Sequence, residues 1–149
     1  MKPSIQPNIR FISVVLKELN FSVHGPIPAE VPLGIDFSAA QQLSEDGTIL
    51  EFTLKTDLFG KIREGDAKPP ITFNFTILGQ FLKLSDDGMD LENFAKYHAP
   101  AHLFPFVRET IANITARSQL PVLTLGPINV IALLDNQDTS FDVHVSDHP

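Results

Sequence analysis

The first half of the chain alternates apolar and polar residues, a pattern that predicts β-strands. We expect four strands, over residues 9–23, 33–43, 50–58 and 71–77. In the third of them, Leu50, Phe52 and Leu54 alternate with polar residues, as in a strand with one buried and one solvated face. A turn over residues 44–47, which contains a glycine, separates the second and third strands.

The first strand differs from the others because part of it is apolar on both faces. Residues 11–16 read FISVVL, whereas residues 18–23 alternate polar and apolar side chains. Such a change predicts a β-bulge, or a strand whose two halves face different neighbours. A single layer of sheet and helix cannot bury both faces of this run. We therefore expect an oligomer interface there, formed by Phe11, Ile12, Val14 and Leu16.

A helical pattern follows the strands. A short helix is predicted near Leu91–Tyr97, and a longer helix follows it. Apolar residues of the longer helix recur at steps of three and four along one face, at Phe104, Val107, Ile111 and Ile114, and Leu103 and Phe106 widen this stripe. Pro105 is expected in the first turn, where its missing N–H would be unpaired anyway. Pro121 is expected to end the helix.

Strands followed by helices predict an α+β fold. We expect a four-stranded antiparallel sheet with the long helix and a shorter C-terminal helix packed on one face. One domain over residues 1–134 suits the chain length. An acidic tail over residues 135–149 lacks periodicity and is expected to be mobile, although Phe141, Val143 and Val145 could form a short extended segment.

The composition of the chain argues against several classes of function. Eighteen acidic and eleven basic residues give a net charge of −7, which disfavours nucleic acid and anionic membranes as partners. The chain has no cysteine, so it has no disulfide and no cysteine-based metal site. No apolar run is long enough to span a membrane, and the N-terminus lacks the apolar core of a signal peptide. We therefore expect a cytosolic protein.

Candidate chemistry is sparse. His98 and His102 have the spacing of two metal ligands on one helical face, but Pro100 argues against a continuous helix there. Asp86, Asp87 and Asp90 resemble the start of a calcium loop, yet the twelfth position is Tyr97 instead of glutamate. Cap or surface histidines and a solvated turn account better for these residues. We expect no enzyme activity, no metal and no cofactor.

An apolar loop follows the long helix. Residues 120–128 contain two prolines and five large apolar side chains, Leu120, Val122, Leu123, Leu125 and Ile128. Because an extended loop points its side chains alternately to two sides, one monomer is not expected to bury all five. At least half of them are expected to be core residues. The remainder would line an open groove or a subunit contact, since exposed apolar surface usually marks an interaction site.

The helix and loop together resemble the SecB family of protein-export chaperones. The similarity lies in LFPFVRETI at residues 103–111 and in RSQLPVLTLGPINVIALL at residues 117–134. The helix start, the Arg108–Glu109 pair and the proline and leucine spacing of the loop all match the family pattern. The motif is long and free of gaps, and the upstream strands extend the resemblance to most of the chain.

The resemblance implies a homotetramer, a dimer of dimers, that holds unfolded preproteins and passes them to the SecA motor. It implies neither ATP use nor covalent chemistry. Carried over by position, the client-binding groove comprises Ile27, Val31, Phe104, Phe106, Leu120, Val122, Leu123 and Leu125. Glu18 keeps an acidic position of the SecA-docking face, whereas Ser22 and Phe75 stand where acidic residues are typical. Ser118 stands where relatives often have a glycine after the helix.

Two other functions stay open at this point. One is a SecB-like chaperone dedicated to a narrow client, such as the antitoxin of a toxin–antitoxin pair. The other is a carrier of small apolar ligands. A preference for unfolded chains over lipids or small dyes would exclude the carrier. For either kind of chaperone, the negative net charge would favour clients that carry basic residues.

Overall fold

The sheet of the computed structural model confirms the four predicted strands and adds a fifth. The structure describes residues 8–24, 33–60, 71–118, residue 134 and residues 141–143. Its elements, in chain order, are β1 (Ile9–Val23), β2 (Leu33–Leu43), β3 (Ile49–Gly60), β4 (Ile71–Lys83), α1 (Leu91–Tyr97), α2 (Ala99–Arg117) and β5 (Phe141–Val143). The predicted α+β class is therefore correct, and β4 extends six residues beyond its predicted end at residue 77.

The strand order is β1-β4-β3-β2-β5, and every neighbouring pair is antiparallel. The chain therefore crosses over between β1 and β2, which lie on opposite sides of the β3–β4 pair. The last strand, β5, pairs with the start of β2. The short extended segment expected in the tail is thus confirmed for residues 141–143, while Val145 lies outside the described residues.

One face of the sheet forms the core, as the alternation predicts. The buried residues of β3 and β4 occupy every second position, at Leu50, Phe52, Leu54, Thr56, Leu58, Ile71, Phe73, Phe75, Ile77 and Phe81. Helix α2 covers this face with Leu103, Val107 and Ile111, which are fully buried. The predicted apolar stripe of the helix is therefore its buried face.

Two register shifts in β1 confirm the predicted bulge. They lie between Phe11 and Ser13 and between Leu16 and Glu18. Each shift inserts an extra residue and returns the following apolar residue to the same face of the sheet. The side chains that oppose the core positions of β4 between residues 73 and 81 are consequently Phe11, Val14, Leu16, Leu19 and Phe21. Strict alternation could not place these five residues on one face.

Helix α2 begins earlier than its sequence suggests. It starts at Ala99 with Pro100 in the first turn, and the backbone N–H of His102 donates to the His98 carbonyl. Pro105 therefore lies inside the helix, where it cannot donate to the carbonyl four residues earlier. The prediction that Pro105 occupies the first turn was wrong, because Pro100 occupies it and leaves Pro105 in the interior. The break in the helix that Pro100 led us to expect lies at His98, between α1 and α2.

The described end of α2 is capped without glycine. The hydroxyl of Ser118 donates to the carbonyls of Ile114 and Thr115, both at 2.9 Å. These bonds satisfy carbonyl groups that would otherwise have no hydrogen-bond partner in the last turn of a helix. Pro121 and the predicted C-terminal helix lie outside the described residues. Leu134 is described; it is helical and packs against the core.

The polar turns are stabilised locally, as predicted for residues 44–47. Asp46 accepts hydrogen bonds from the hydroxyls of Ser44 and Thr48, which lower the pKa of its carboxyl to about 2. Gly47 follows with a φ of 74°, a conformation that favours glycine. In the second turn, Asp90 caps α1 by accepting from the Asn93 backbone N–H at 2.7 Å. The aspartate that resembled a calcium ligand is therefore a helix cap.

Thr56 is the one conspicuous polar residue of the core face. It is fully buried, and its hydroxyl has no hydrogen-bond partner among the described residues. A buried hydroxyl without a partner costs about 1–3 kcal/mol. We expect Thr56→Val to raise the free energy of unfolding by about 1 kcal/mol in a urea titration, since valine keeps the branched shape.

Thr115 provides the matched control for this substitution. It is also buried, but its hydroxyl donates to the Ile111 carbonyl at 2.8 Å. Thr115→Val should therefore give no gain in stability. If Thr56→Val destabilises the protein as much as Thr115→Val does, the Thr56 hydroxyl is satisfied in solution.

Candidate functional site

A shallow groove lies between β1 and α2. We call it the β1 groove; it has a volume of about 230 Å³ and is lined by Val14, Leu16, Leu19, Ile77, Phe106, Glu109, Thr110, Asn113, Ile114 and Arg117. The strand and the sheet supply an apolar floor, and the helix supplies a mixed wall with charged residues at its edge. The groove exists because α2 leaves part of β1 uncovered, although β1 turns Val14, Leu16 and Leu19 toward the helix.

Two residues of the predicted oligomer interface, Ile12 and Leu16, are about half exposed, as is their neighbour Val15, whereas Phe11 packs against Phe81 and Phe106. The exposed fractions of Ile12, Val15 and Leu16 are 48%, 46% and 49%. Val14 is partly buried, and it lines the β1 groove together with Leu16. Among the described strands β1 is an end strand with no neighbour on its far side. Its apolar side chains and its free backbone edge suit contact with another chain.

A second and larger concavity lies at the start of β1. We call it the aromatic–histidine cleft; it has a volume of about 640 Å³ and is lined by Asn8, Ile9, Arg10, Phe11, Phe81, Leu84, Met89, Phe94, His98 and His102. Phe11 stacks on Phe81 with ring centroids 4.8 Å apart, and Phe81 meets the edge of Phe94 at 4.9 Å. These three rings form an aromatic wall from three different elements.

The two histidines pack against this wall. The ring of Phe94 lies 5.7 Å from His98 and 5.5 Å from His102. Burial, together with the nearby His98, lowers the pKa of His102. Within the described part of the chain, no group of three or more histidine, cysteine or acidic side chains could hold a metal ion. The ring contacts place both histidines in an aromatic cluster.

Most of the predicted groove residues fall outside the described ranges. These are Ile27, Val31, Leu120, Val122, Leu123 and Leu125. Of the other two, Phe106 is partly buried, contacts Phe11 with centroids 5.9 Å apart and lines the β1 groove. Phe104 is only 7% exposed and packs edge-on against Phe37. Phe104 is thus a core side chain and not an accessible groove residue.

The predicted docking position Glu18 lies on the solvent-exposed side of β1. Glu18 is exposed, and the Asn20 side chain bridges it to Asn74 on β4. Ser22 is exposed on the same strand. Phe75, by contrast, is buried in the core. A core side chain cannot contact a docking partner, so Phe75 adds nothing to a docking surface.

The sheet register brings together an acidic pair that sequence analysis missed. Asp36 on β2 lies directly opposite Asp57 on β3, and Asp57 lies opposite Asn74. Burial and the charge of Asp36 raise the pKa of the Asp57 carboxyl. The alternation within each strand could have indicated that both residues face solvent. Their pairing could not be predicted in this way, because it depends on the register of two strands.

No helix within the described ranges is long and apolar enough to cross a membrane. The fold and its surfaces define an α+β protein with half-exposed apolar side chains along an end strand and two apolar concavities beside it. Apolar surface of this kind in a folded domain is typical of proteins that bind other polypeptides.

Comparison with known proteins assigns the family. The family model described as preprotein translocase subunit SecB matches residues 33–140. The chain therefore belongs to the SecB family, as its helix and loop motif indicated.

Individual relatives are consistent with this assignment. The protein-export protein SecB of Hyphomonas neptunium is 29% identical over 140 residues, 91% of this chain and 82% of the relative. The protein of the same name from Chromobacterium violaceum is 26% identical over 138 residues, 89% of each chain. The uncharacterized protein MJ0357 of Methanocaldococcus jannaschii is 35% identical over 71 residues, 47% of this chain and 45% of the relative.

A solved structure has the same fold. It is the Mycobacterium tuberculosis SecB-like chaperone Rv1957, in complex with a ChAD peptide from the Rv1956 HigA1 antitoxin. The TM-score is 0.69 at 19% sequence identity, and the match covers 82% of this chain and 91% of that chain.

Proposed function

We propose that this protein is a holdase chaperone of protein export, which binds unfolded precursor proteins and keeps them competent for translocation. The observation that carries the proposal is the SecB family match over residues 33–140. The two apolar concavities beside β1 support the same function, because an unfolded client offers complementary apolar side chains.

Such a chaperone needs no covalent chemistry. A holdase binds the unfolded state and competes with folding and aggregation by mass action. Each apolar contact with a client contributes roughly 25 cal/mol per Å² of apolar surface removed from water. Because many weak contacts are summed along an extended client, binding is reversible and requires neither a nucleotide nor a cofactor.

The working form proposed here is a homotetramer, a dimer of dimers, in the cytosol. The half-exposed apolar side chains of β1, Ile12, Val15 and Leu16, supply an apolar contact for assembly. The outer face of the sheet, which points away from α2, carries Glu18, Asp36 and Asp57 at exposed positions. This acidic surface is the proposed docking site for SecA, since complementary charge speeds the encounter between partners.

A second candidate is a chaperone dedicated to one client. The observation that favours this candidate is the fold that the chain shares with Rv1957, a SecB-like chaperone solved in complex with an antitoxin peptide. A narrow client range requires side-chain pockets that reject most sequences, whereas a general holdase tolerates many. Competition between one antitoxin peptide and several unrelated unfolded proteins would separate the two candidates.

The function is tested by suppression of aggregation. An excess of the protein should keep a chemically denatured client soluble after dilution, without nucleotide, as measured by light scattering. The double substitution Leu123→Ser and Leu125→Ser should weaken client binding more than it lowers the thermal midpoint, because groove residues are covered only when a client binds.

Each of three results would contradict a different part of this proposal. Unchanged aggregation across a tenfold range of the protein would exclude a holdase. A double variant that unfolds many degrees earlier, while its folded fraction binds clients normally, would place both leucines in the core. Tighter binding of lipids or small dyes than of unfolded chains would support the ligand carrier.

A further inference from the structure

The outer edge of β2 is only partly covered. Three of its eleven residues, Leu33–Ile35, pair with β5. The other eight, Asp36–Leu43, pair with β3 and have no second neighbour among the described residues. In such a stretch every second residue directs its backbone N–H and carbonyl groups away from the sheet. We call this stretch the β2 edge; it is open to an antiparallel strand and begins where the pairing with β5 stops.

The β2 edge lacks the features that deter a strand from pairing with other chains. Those features are β-bulges, prolines and charged side chains, lysine above all. The register of β2 against β3 runs from Leu33 to Leu43 without a shift. Residues 36–43 include one charged residue, Asp36, and no proline. The side chains of residues 38–42 are all exposed. An unbroken, largely uncharged and open edge of this kind accepts a further strand.

Strand β5 occupies the start of the same edge. It pairs antiparallel with β2, with Phe141 opposite Ile35 and Val143 opposite Leu33. Its three residues are fewer than the usual strand length of about 5–6. An extended segment that pairs with the whole of β2 forms more main-chain hydrogen bonds than β5 does. Because main-chain bonds do not depend on the identity of side chains, such pairing tolerates many client sequences.

We propose that the β2 edge binds an extended segment of an unfolded client as an added antiparallel strand, and that β5 competes with the client for the start of β2. The proposal rests on the proposed holdase function and adds regulation by the C-terminal strand. Six residues separate β5 from Leu134, which packs against the core. A short connection gives a tethered strand an effective concentration of about a millimolar. A client that pairs along all of β2 therefore has to displace an internal competitor.

Proline substitutions in β5 test this competition in the full-length chain. Asp142→Pro with Val143→Pro removes two neighbouring N–H groups, one of which points toward β2 because successive groups alternate in direction. The probe is a fluorescein-labelled peptide with the sequence of residues 139–146, TSFDVHVS, followed by fluorescence anisotropy. We expect it to bind the variant about tenfold more tightly than the unaltered protein, since the tethered competitor is lost. Ser146→Pro with Asp147→Pro is the control beyond β5, and it should leave the affinity unchanged.

Two N-methylated forms of this peptide distinguish strand pairing from side-chain binding. They carry methyl groups on alternate backbone nitrogens, either those of Phe141, Val143 and Val145 or those of Ser140, Asp142 and His144. Because alternate N–H groups of a strand point to the same neighbour, one form keeps all the donors that face β2. That form should bind the proline variant nearly as well as the unmethylated peptide. The other loses several hydrogen bonds and should bind at least about tenfold more weakly.

A lysine on β2 locates the binding at this edge. Ala39 is exposed, yet it pairs with the fully buried Leu54 and so lies on the core face of the sheet. An added strand would enclose a lysine at this position, whereas the free edge leaves it in water. Ala39→Lys should therefore weaken peptide binding severalfold with little change in the thermal midpoint. Ser22→Lys adds the same charge at an exposed position of β1 and should leave the binding unaltered.

Four outcomes would overturn the proposal. They are equal binding of the two methylated peptides, no gain in affinity from the prolines in β5, binding that Ala39→Lys does not weaken, and a higher oligomeric mass of the proline variant. The last result would mean that a second copy of the chain takes the β2 edge.

Aggregation suppression by the unaltered protein tests the holdase function separately. Suppression without strand pairing retains the holdase and removes the added strand. Strand pairing without suppression retains a peptide-binding edge and removes the holdase.

Discussion

Gly79→Ala is expected to lower the free energy of unfolding by about 1–3 kcal/mol, the usual cost of overpacking a core. A Cβ at this position would lie 2.6 Å from Cδ2 of Leu103, closer than carbon atoms approach without a shift. Leu103 is fully buried at the start of α2, so it has little room to move. Gly79 is therefore the position where β4 lets the helix approach the sheet.

A double-mutant cycle tests this explanation. Leu103→Ala alone should cost about 2–5 kcal/mol, because it leaves a cavity in the core. Combined with Gly79→Ala, it removes the clashing methyl group, so the double variant should be more stable than the sum of the two effects by about 0.5–3 kcal/mol. Urea denaturation at constant temperature gives all four free energies of unfolding.

Gly47 is the matched control. Its φ is +74°, and no atom lies within 4 Å of a Cβ added there. Gly47→Ala is therefore destabilising through backbone strain alone, and Leu103→Ala should add to it without interaction. Additivity of Gly79→Ala with Leu103→Ala would instead mean that the helix approach does not depend on this glycine.

The double substitution Ile12→Asp and Val15→Asp is expected to dissociate the proposed tetramer. Both side chains are nearly half exposed in the isolated chain, so aspartate is tolerated there without loss of fold. In a subunit contact, each aspartate would be an unpaired charge removed from water, which costs about 3–5 kcal/mol. Such a cost raises a dissociation constant by more than about a hundredfold.

Sedimentation velocity at micromolar concentration measures this effect. The unaltered protein should sediment at about four times the chain mass, and the variant should sediment at a lower mass with an unchanged circular dichroism spectrum. Val23→Asp is the control, since Val23 is a similarly exposed apolar residue at the other end of β1. If the variant retains the mass of the unaltered protein, residues 12 and 15 lie outside the interface.

Local patterns were sufficient for much of this fold. The alternation in β3 and β4 and the stripe on α2 each reflect which side of one element is buried, and burial is encoded by spacing within that element. The positive φ of Gly47 likewise depends on four neighbouring residues. The helix and loop motif carried the family resemblance, which the family match confirmed.

The placement of the prolines in the helix and the burial of individual residues were harder to predict from the sequence. Pro100 and Pro105 both satisfy the rules for a first turn, and only the helix start at Ala99 decides which of them occupies it. Phe104 would belong to the apolar stripe of α2 both as a core residue and as a groove residue, so the stripe does not distinguish the two roles. Its burial is set by Phe37 on a distant strand. Phe75 was compared with an acidic position, although its own alternation places it with the core residues of β4.

The sequence by itself determined the four long strands, the long helix, the fold class and the family of this protein, because those follow from local spacing and from a continuous motif. Tertiary structure alone decided which surfaces are available. The register of β1 against β4 turns five unevenly spaced residues to one face and leaves Ile12 and Val15 outside. The aromatic–histidine cleft and the Asp36–Asp57 pair arise in the same way, since strand pairing and helix packing bring together residues that no local pattern relates.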